Sequence, residues 1–220
     1  MAFTFGQKIN TVLKLLGEPK ILSALLSQRD FGYLKEIGWF ESFNKNQSID
    51  GHSKPIPWFT YPSIDFIAPR LNNNIKVLEF GSGNSTIYFA SKVSKVYSVE
   101  HNKLWFDIVS KSKPVNAEIL LSKTDNPDDY LSVSEKLDMK FDIIVIDGLH
   151  RNDCLINSIN FLSQNAVVIL DDSERNEYQK GIGFLQSKDF RKLDFWGIAP
   201  TVLFKKCTSI FYKNNNCLEI

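Results

Sequence analysis

The 220-residue sequence is short of several things. It has three cysteines, Cys154, Cys207 and Cys217, far apart and with no CxxC pair. An odd, scattered set argues against a disulfide framework and against a zinc site, and reads as reduced thiols in a cytoplasmic protein. It has no excess of charge: 26 basic and 25 acidic residues leave +1, so nothing suggests the basic face that a nucleic-acid partner requires. No uninterrupted apolar stretch is long enough to span a bilayer. The first residues, MAFTFGQKINTVLKLLG, carry only a short apolar run with no small-residue cleavage site before Pro19, so they do not read as a signal peptide. No internal repeat and no low-complexity segment is present.

What remains is a chain of single-domain length with 43% hydrophobic residues, enough for a sizeable core. Residues 7–40 read as helical: Ile9, Val12, Leu13 and Leu16 share one face, Ile21, Leu22, Leu25 and Leu26 another, and Gly17 and Pro19 separate the two segments. These helices are expected either to extend the core or to form a cap or a contact between copies of the chain. Residues 44–58 are polar and rich in turn formers, a loop expected to be mobile. A helix follows from about Ser63, and Pro69 must end or bend it.

From Ile75 onward, short apolar runs alternate with helical ones. Strands are expected over Ile75–Phe80, Lys95–Glu100, Glu118–Leu121, Phe141–Asp147 and Ala166–Leu170, with helices over Ser85–Val93, Lys103–Lys111, His150–Ser163 and Glu174–Gln186. Strands such as IKVLEF and FDIIVID are nearly all apolar, as strands covered on both faces are. Alternation of strand and helix implies a parallel, doubly wound α/β sheet. DFRKLDFWG and TSIFYK follow with no helix between them and are expected to pair antiparallel at the sheet edge. The division expected is a helical cap and loop over 1–57 and a Rossmann-like domain over 58–220.

In such a sheet, ligands bind at the carboxyl ends of the strands. EFGSGNST, residues 79–86, lies at the end of the first one. Gly81 permits a tight turn, Gly83 lets a ligand approach the backbone, and Ser85 and Thr86 can cap the next helix. Glu100, ending the second strand, can accept hydrogen bonds from both ribose hydroxyls of a nucleoside cofactor. A dinucleotide fingerprint, GxGxxG, would put its helix-packing glycine where Thr86 stands. Instead an acid, Glu79, precedes the first glycine by two residues. Glu-x-Gly-x-Gly, followed by an acid after the second strand, resembles the class I S-adenosylmethionine-dependent methyltransferases. The resemblance covers about Trp58 to the C-terminus and implies their seven-stranded sheet, mostly parallel with an antiparallel pair at its C-terminal edge. It implies that Glu79 organises the aminoacyl end of the cofactor, that Gly81, Ser82, Gly83, Asn84, Ser85 and Thr86 line it, that Glu100, with His101 beside it, holds the ribose, and that Asp147 also contacts the cofactor. The third loop glycine of that family falls at Ser85.

Asp147 ends the fourth expected strand, and Asp171 and Asp172 follow the fifth. Three carboxylates on one edge repel one another unless a cation intervenes, and oxygen ligands of this kind suit magnesium or manganese. The arrangement resembles the catechol O-methyltransferase group, in which acids at these positions hold a divalent metal beside the methyl donor. The alternative is that Asp147 forms substrate wall and Asp172 caps a helix. Where that group carries a lysine base, this chain has His150, so His150, with Asp147, is the expected catalytic pair. His52 and His101 have weaker claims to a role. Trp58, Phe59 and Tyr61 either line the pocket or pack in the core, Trp105 and Trp196 read as structural, and Arg151 and Arg175 either bind an anionic acceptor or are surface residues.

The expected function is methyl transfer to an oxygen of a small molecule or a glycan sugar unit. The competing readings are a nicotinamide-dependent oxidoreductase, which leaves Asp147, Asp171 and Asp172 without a role, and a binding module without catalysis.

Overall fold

A computed structural model describes residues 4–122 and 126–220. The N-terminal helices are α1 (Phe5–Leu16), α2 (Pro19–Ser27), α3 (Tyr33–Glu36) and α4 (Trp39–Lys45), followed by α5 (Tyr61–Ile67). The alternating part then runs β1 (Lys76–Phe80), α6 (Asn84–Ala90), β2 (Lys95–Glu100), α7 (Lys103–Ser112), β3 (Ala117–Leu121), α8 (Pro127–Glu135), β4 (Phe141–Ile146), α9 (Arg151–Ser158), β5 (Leu162–Asp171), α10 (Gln179–Ser187), β6 (Arg191–Gly197) and β7 (Lys206–Tyr212).

The seven strands form one sheet in the order β3-β2-β1-β4-β5-β7-β6. β1 to β5 pair parallel, while β7 pairs antiparallel with both β5 and β6. The C-terminal antiparallel pair is therefore present, with β7 inserted and β6 on the edge. Alternate residues of the strands face opposite layers. Val77, Ile143, Val145, Val167, Ile169 and Ile210 pack with α5 and α6 on one face. Leu78, Phe80, Ile144, Ile146, Val168 and Leu170 pack with residues of α8, α9 and α10 on the other. Both faces of β4 are fully buried, which is why its sequence shows no polar alternation.

Several local expectations change: the helix expected over His150–Ser163 ends at Ser158 and β5 starts at Leu162, and the helix expected over Glu174–Gln186 starts at Gln179. Helix α8 was not anticipated, because PDDYLSVSE has a weak apolar stripe. Its start signals are nonetheless in the sequence: Asn126 caps it by accepting from the Asp128 N–H at 2.9 Å, Pro127 opens it, and two aspartates fill the first turn. The loop after α4 is tied down rather than loose: Asp50 Oδ1 accepts from the backbone N–H groups of His52 and Lys54, and Ile56 N–H donates to Ser48 O at 3.1 Å. Trp39 and Ile56 belong to the same core cluster as the sheet, and Trp39 Nε1 donates to Val202 O at 3.0 Å. The packed body thus begins near α4. In α1 and α2, by contrast, no residue is buried.

Candidate functional site

Two adjoining cavities lie along the carboxyl edge of the sheet. The smaller, about 350 Å³, is lined by Gly81, Ser82, Ser85, Glu100, His101, Asn102, Trp105, Asp147 and Gly148. The larger, about 830 Å³, holds Asn46, Gln47 and Ser48 from the tied loop, Gly83 and Asn84, Trp58 and Phe204, and Asp147, Asp171, Asp172, Arg175 and Lys206. Ser82, Ser85, Trp105 and Asp147 line both.

The loop after β1 is shaped by three contacts. Gly81 has φ +99, and a Cβ there would lie 3.0 Å from Gly148 Cα, so backbone crosses backbone at this point. Gly148 is equally confined: its Cβ would lie 2.4 Å from Tyr130 Oη and 2.9 Å from Gly81 N. Gly83 differs. Its backbone is extended, at φ 166, and a methyl would meet only the Trp105 ring, at 3.7 Å. Among the described residues no close protein contact demands glycine there.

Glu79 is fully buried behind the loop. In the β1–β2 register it faces Ser98, whose hydroxyl donates to Oε2 at 2.6 Å; Thr86 donates to the same oxygen at 2.5 Å and accepts from Gly83 N–H at 3.0 Å. Thr86 thus joins loop to acid where a dinucleotide fold would need a glycine. Glu79 Oε1 is buried without a partner among the described residues. Burial raises this carboxyl from 4.5 to about 7, against the opposing pull of its hydroxyl partners.

Glu100 is buried and already held. Oε2 accepts from Ser82 N–H at 3.1 Å and Ser82 Oγ at 2.9 Å, and Oε1 from the N–H groups of His101 at 2.9 Å and Asn102 at 2.8 Å. His101 Nδ1 lies 3.2 Å from Oε1. A ribose here would share the carboxylate with the Ser82 hydroxyl or displace it. Asn84 reaches across the larger cavity, its Nδ2 donating to Ser48 O at 2.8 Å.

The structure brings Asp147, Asp171 and Asp172 to one cavity, but their neighbours are protein cations. Lys206 Nζ lies 2.5 Å from Asp171 Oδ2 and 2.7 Å from Asp172 Oδ1, and donates to Trp58 O at 3.2 Å. Thr208 donates to Asp171 Oδ1 at 2.7 Å. Arg175 reaches Asp172 Oδ2 at 2.6 Å, and Arg151 reaches Asp147 Oδ1 at 3.0 Å. Arg151 also donates to the carbonyls of Asp147, Gly148 and Asp171, so it clamps the ends of β4 and β5 together rather than facing an acceptor. The expected metal set of Asp147, Asp171 and Asp172 therefore does not fit a metal: both Asp171 oxygens are engaged by Lys206 and Thr208, and both Asp172 oxygens by Lys206 and Arg175. Among the described residues, no group of three or more His, Cys, Asp or Glu side chains is arranged to hold one.

Burial raises the Asp147 carboxyl above the ordinary value despite Arg151 and Lys206. Burial and the Asp147 charge raise Asp171 also. For Asp172 burial acts the same way, but Lys206, Arg151 and Arg175 outweigh it and hold the carboxyl low. Lys206 is raised: burial opposes its charge, and the two aspartates more than restore it.

His150 is not brought to this cleft. It has φ +50, stands at the N-cap of α9, and sets its ring against Tyr130, with centroids 6.1 Å apart. It lines a separate surface hollow with Leu149, Arg151 and Tyr178. Asp147 lines the two cavities and His150 this separate hollow, so the expected pair of His150 and Asp147 does not share a cavity. His52 lies in another hollow beside Gly38 and Gly51. Phe59 and Tyr61 are core residues, while Trp58 is half exposed at the larger cavity, its Nε1 donating to Pro200 O at 2.7 Å.

Of three further residues at the cavities, Trp105 is expected from the sequence to be structural, and Gly148 and Lys206 carry no expected role. Trp105 donates from Nε1 to Ser82 O at 2.7 Å and forms the wall between the cavities. Gly148 was hidden inside the DGLHR run. Lys206 heads β7, and because β7 runs antiparallel, its first residue arrives at the carboxyl edge of the parallel strands. That inference was available, but the strand had been read as starting at Thr208.

No protein-family profile and no curated protein sequence matches the chain. Solved structures do. It is similar to precorrin-6y C5,15-methyltransferase from Geobacter metallireducens, with TM-score 0.54 and 13% identity over 70% of this chain and 87% of that one. An rRNA methylase from Streptococcus thermophilus gives TM-score 0.51 and 16% identity over 69% and 93%. A TehB-like SAM-dependent methyltransferase from Corynebacterium glutamicum gives 0.50 and 16% over 70% and 88%. At such identities the likeness establishes the fold: this chain has the class I methyltransferase fold. It does not extend to the catechol O-methyltransferase-like subtype.

Proposed function

We propose that the protein is an S-adenosylmethionine-dependent methyltransferase acting on an oxygen of a small polar acceptor, such as a sugar unit. One observation carries this reading: the two cavities meet at Asp147, among the described residues the single titratable side chain lining both. The smaller cavity has the Glu100 carboxylate for a ribose, Trp105 as an apolar wall and Gly83 open to a ligand. The unpartnered Glu79 Oε1 marks polar capacity behind the same loop. The larger cavity combines the half-exposed Trp58 and Phe204 with Asn46, Gln47, Asp172 and Arg175, a mixture suited to a hydroxylated ring.

The bound cofactor supplies an electrophilic methyl group on a sulfonium. Asp147 takes the acceptor's hydroxyl proton as the oxygen attacks, its raised proton affinity suiting it to that role near neutral pH. Arg151 fixes the Asp147 carboxylate and stabilises its charged form. Trp105 and the loop hold the reactants in line, which is the main contribution a methyl transfer needs. A nicotinamide cofactor is disfavoured by Thr86, whose hydroxyl is committed to Glu79 and Gly83.

Calorimetric titration with S-adenosylhomocysteine and with NAD tests the cofactor: the first is expected to bind and the second not, and the reverse would end this reading. With methyl-labelled cofactor and a panel of monosaccharides and phenols, Asp147→Asn is expected to keep cofactor affinity and lose transfer. The unburied apolar faces of α1 and α2, with Leu13 62% and Leu26 63% exposed, are proposed as a contact between copies of the chain. Light scattering of Leu13→Glu, read against the wild type, tests that contact.

A further inference from the structure

The lysine between Asp171 and Asp172 sits where a metal was expected, and its environment is specific. Lys206 is 6% exposed. Its ammonium has three protons and three acceptors: Asp171 Oδ2 at 2.5 Å, Asp172 Oδ1 at 2.7 Å and Trp58 O at 3.2 Å. Around it, three carboxylates (Asp147, Asp171, Asp172) are balanced by three cations (Lys206, Arg151, Arg175). A buried lysine holds its charge only when paired in this way.

We infer that Lys206 is a built-in cation occupying the place of a divalent ion between Asp171 and Asp172, and that it positions Asp172 and Trp58 at the larger cavity. The argument is one of charge and donor count. A divalent ion between these carboxylates would have to displace an ammonium that uses all its protons, and would meet two guanidinium groups close by. Asp172 has φ +52, a backbone conformation that costs free energy in a non-glycine residue, and the Lys206 and Arg175 contacts hold its carboxylate there. Through the Trp58 carbonyl the same ammonium anchors the chain segment that carries the Trp58 ring. Lys206 has no proton left for a substrate, so it is a positioning residue. This inference stands independently of which cofactor or acceptor the cleft takes.

Manganese is the probe, because its electron paramagnetic resonance signal falls when the ion is bound, with no need for an acceptor. The wild-type chain is expected to leave the free-ion signal unchanged. Lys206→Met, which keeps length and loses charge, is expected to bind one manganese at least about tenfold more tightly than the wild type, since a unit charge at hydrogen-bond distance has been removed. Lys206→Arg keeps the charge and is expected to exclude the ion as the wild type does. Adding Asp172→Asn to Lys206→Met should abolish the gained binding. A folded Lys206→Met chain that binds no manganese, or an arginine variant that binds as the methionine variant does, overturns the inference. If Lys206→Met does not fold, the wild type decides: stoichiometric manganese binding that Asp171→Asn removes would mean the ammonium yields to a metal. An unchanged free-ion signal would uphold the lysine as the resident cation.

Discussion

Replacing Glu79 by glutamine tests the buried acid behind the cofactor loop. Glu79 is fully buried, and its proton affinity rises from the ordinary 4.5 to about 7 because burial disfavours the charged form. An acid harder to ionise folded than unfolded contributes its full stability below the unfolded value and loses it as pH rises to the folded value, so the window is from 4.5 to about 7. Across that window the loss amounts to about 3 kcal/mol, at about 1.36 kcal/mol per tenfold change in proton affinity. Between about pH 5 and about pH 8 the share expected from this group is about 2–3 kcal/mol. Glutamine keeps the volume and an oxygen for Ser98 and Thr86, and places its amide where Oε1 has no partner. Urea unfolding of both chains at the two pH values gives a difference of differences in which other titrating groups, Asp171 included, cancel. The wild type should lose about 2–3 kcal/mol more than Glu79→Gln on going to the higher pH. Parallel pH dependence in the two chains would refute the assignment of a raised proton affinity to Glu79.

Gly148→Ala should destabilise the chain by about 1–3 kcal/mol in urea unfolding, because the new methyl meets Tyr130 Oη and the backbone of Gly81 with little room to yield. Trp105→Ala removes the shared wall of the two cavities and should weaken S-adenosylhomocysteine binding by roughly 1–3 kcal/mol in calorimetry while barely moving the unfolding midpoint, since the ring is half exposed. His150→Ala should leave both cofactor affinity and turnover near wild type, as its ring faces Tyr130 outside the cleft; a strong loss of turnover would restore it as the base.

The sheet was legible because its strands are nearly pure apolar runs closed by chemistry: Phe80 by the glycine loop, Val99 by Glu100, Ile146 by Asp147. Each such boundary marks a carboxyl end, so the edge that carries the site could be located from sequence. Side-chain direction at that edge could not. His150 and Asp147 are three residues apart and are expected as neighbours, but His150, at the head of α9, sets its ring against Tyr130 and lines a different hollow. Pairings between distant segments were also hidden. Lys206 meets Asp171 only because β7 runs backwards between β5 and β6, and nothing local to KKCTSIF announces that its second lysine faces two aspartates. Acids that looked like ligands awaiting an ion were in fact already matched.

That matching sets the charge of the cleft. Asp147, Asp171, Asp172 and Glu100 are four carboxyl groups set against the three cations Lys206, Arg151 and Arg175, so among these seven groups the acids outnumber the cations by one. S-adenosylmethionine carries one net positive charge, from a sulfonium, an ammonium and a carboxylate, and S-adenosylhomocysteine carries none. If the cleft takes the proposed cofactor, this excess of acid is expected to favour the methyl donor over the demethylated product. The preference is electrostatic and only partly screened within a half-buried cavity. Raising sodium chloride from low to about 0.5 M should therefore weaken the donor's binding in calorimetry more than the product's, narrowing the gap between them. Lys206→Met, which makes the cleft more negative, should widen the gap at low salt. If donor and product bind with the same salt dependence in both chains, charge balance does not govern the choice between them, and shape alone would have to explain it.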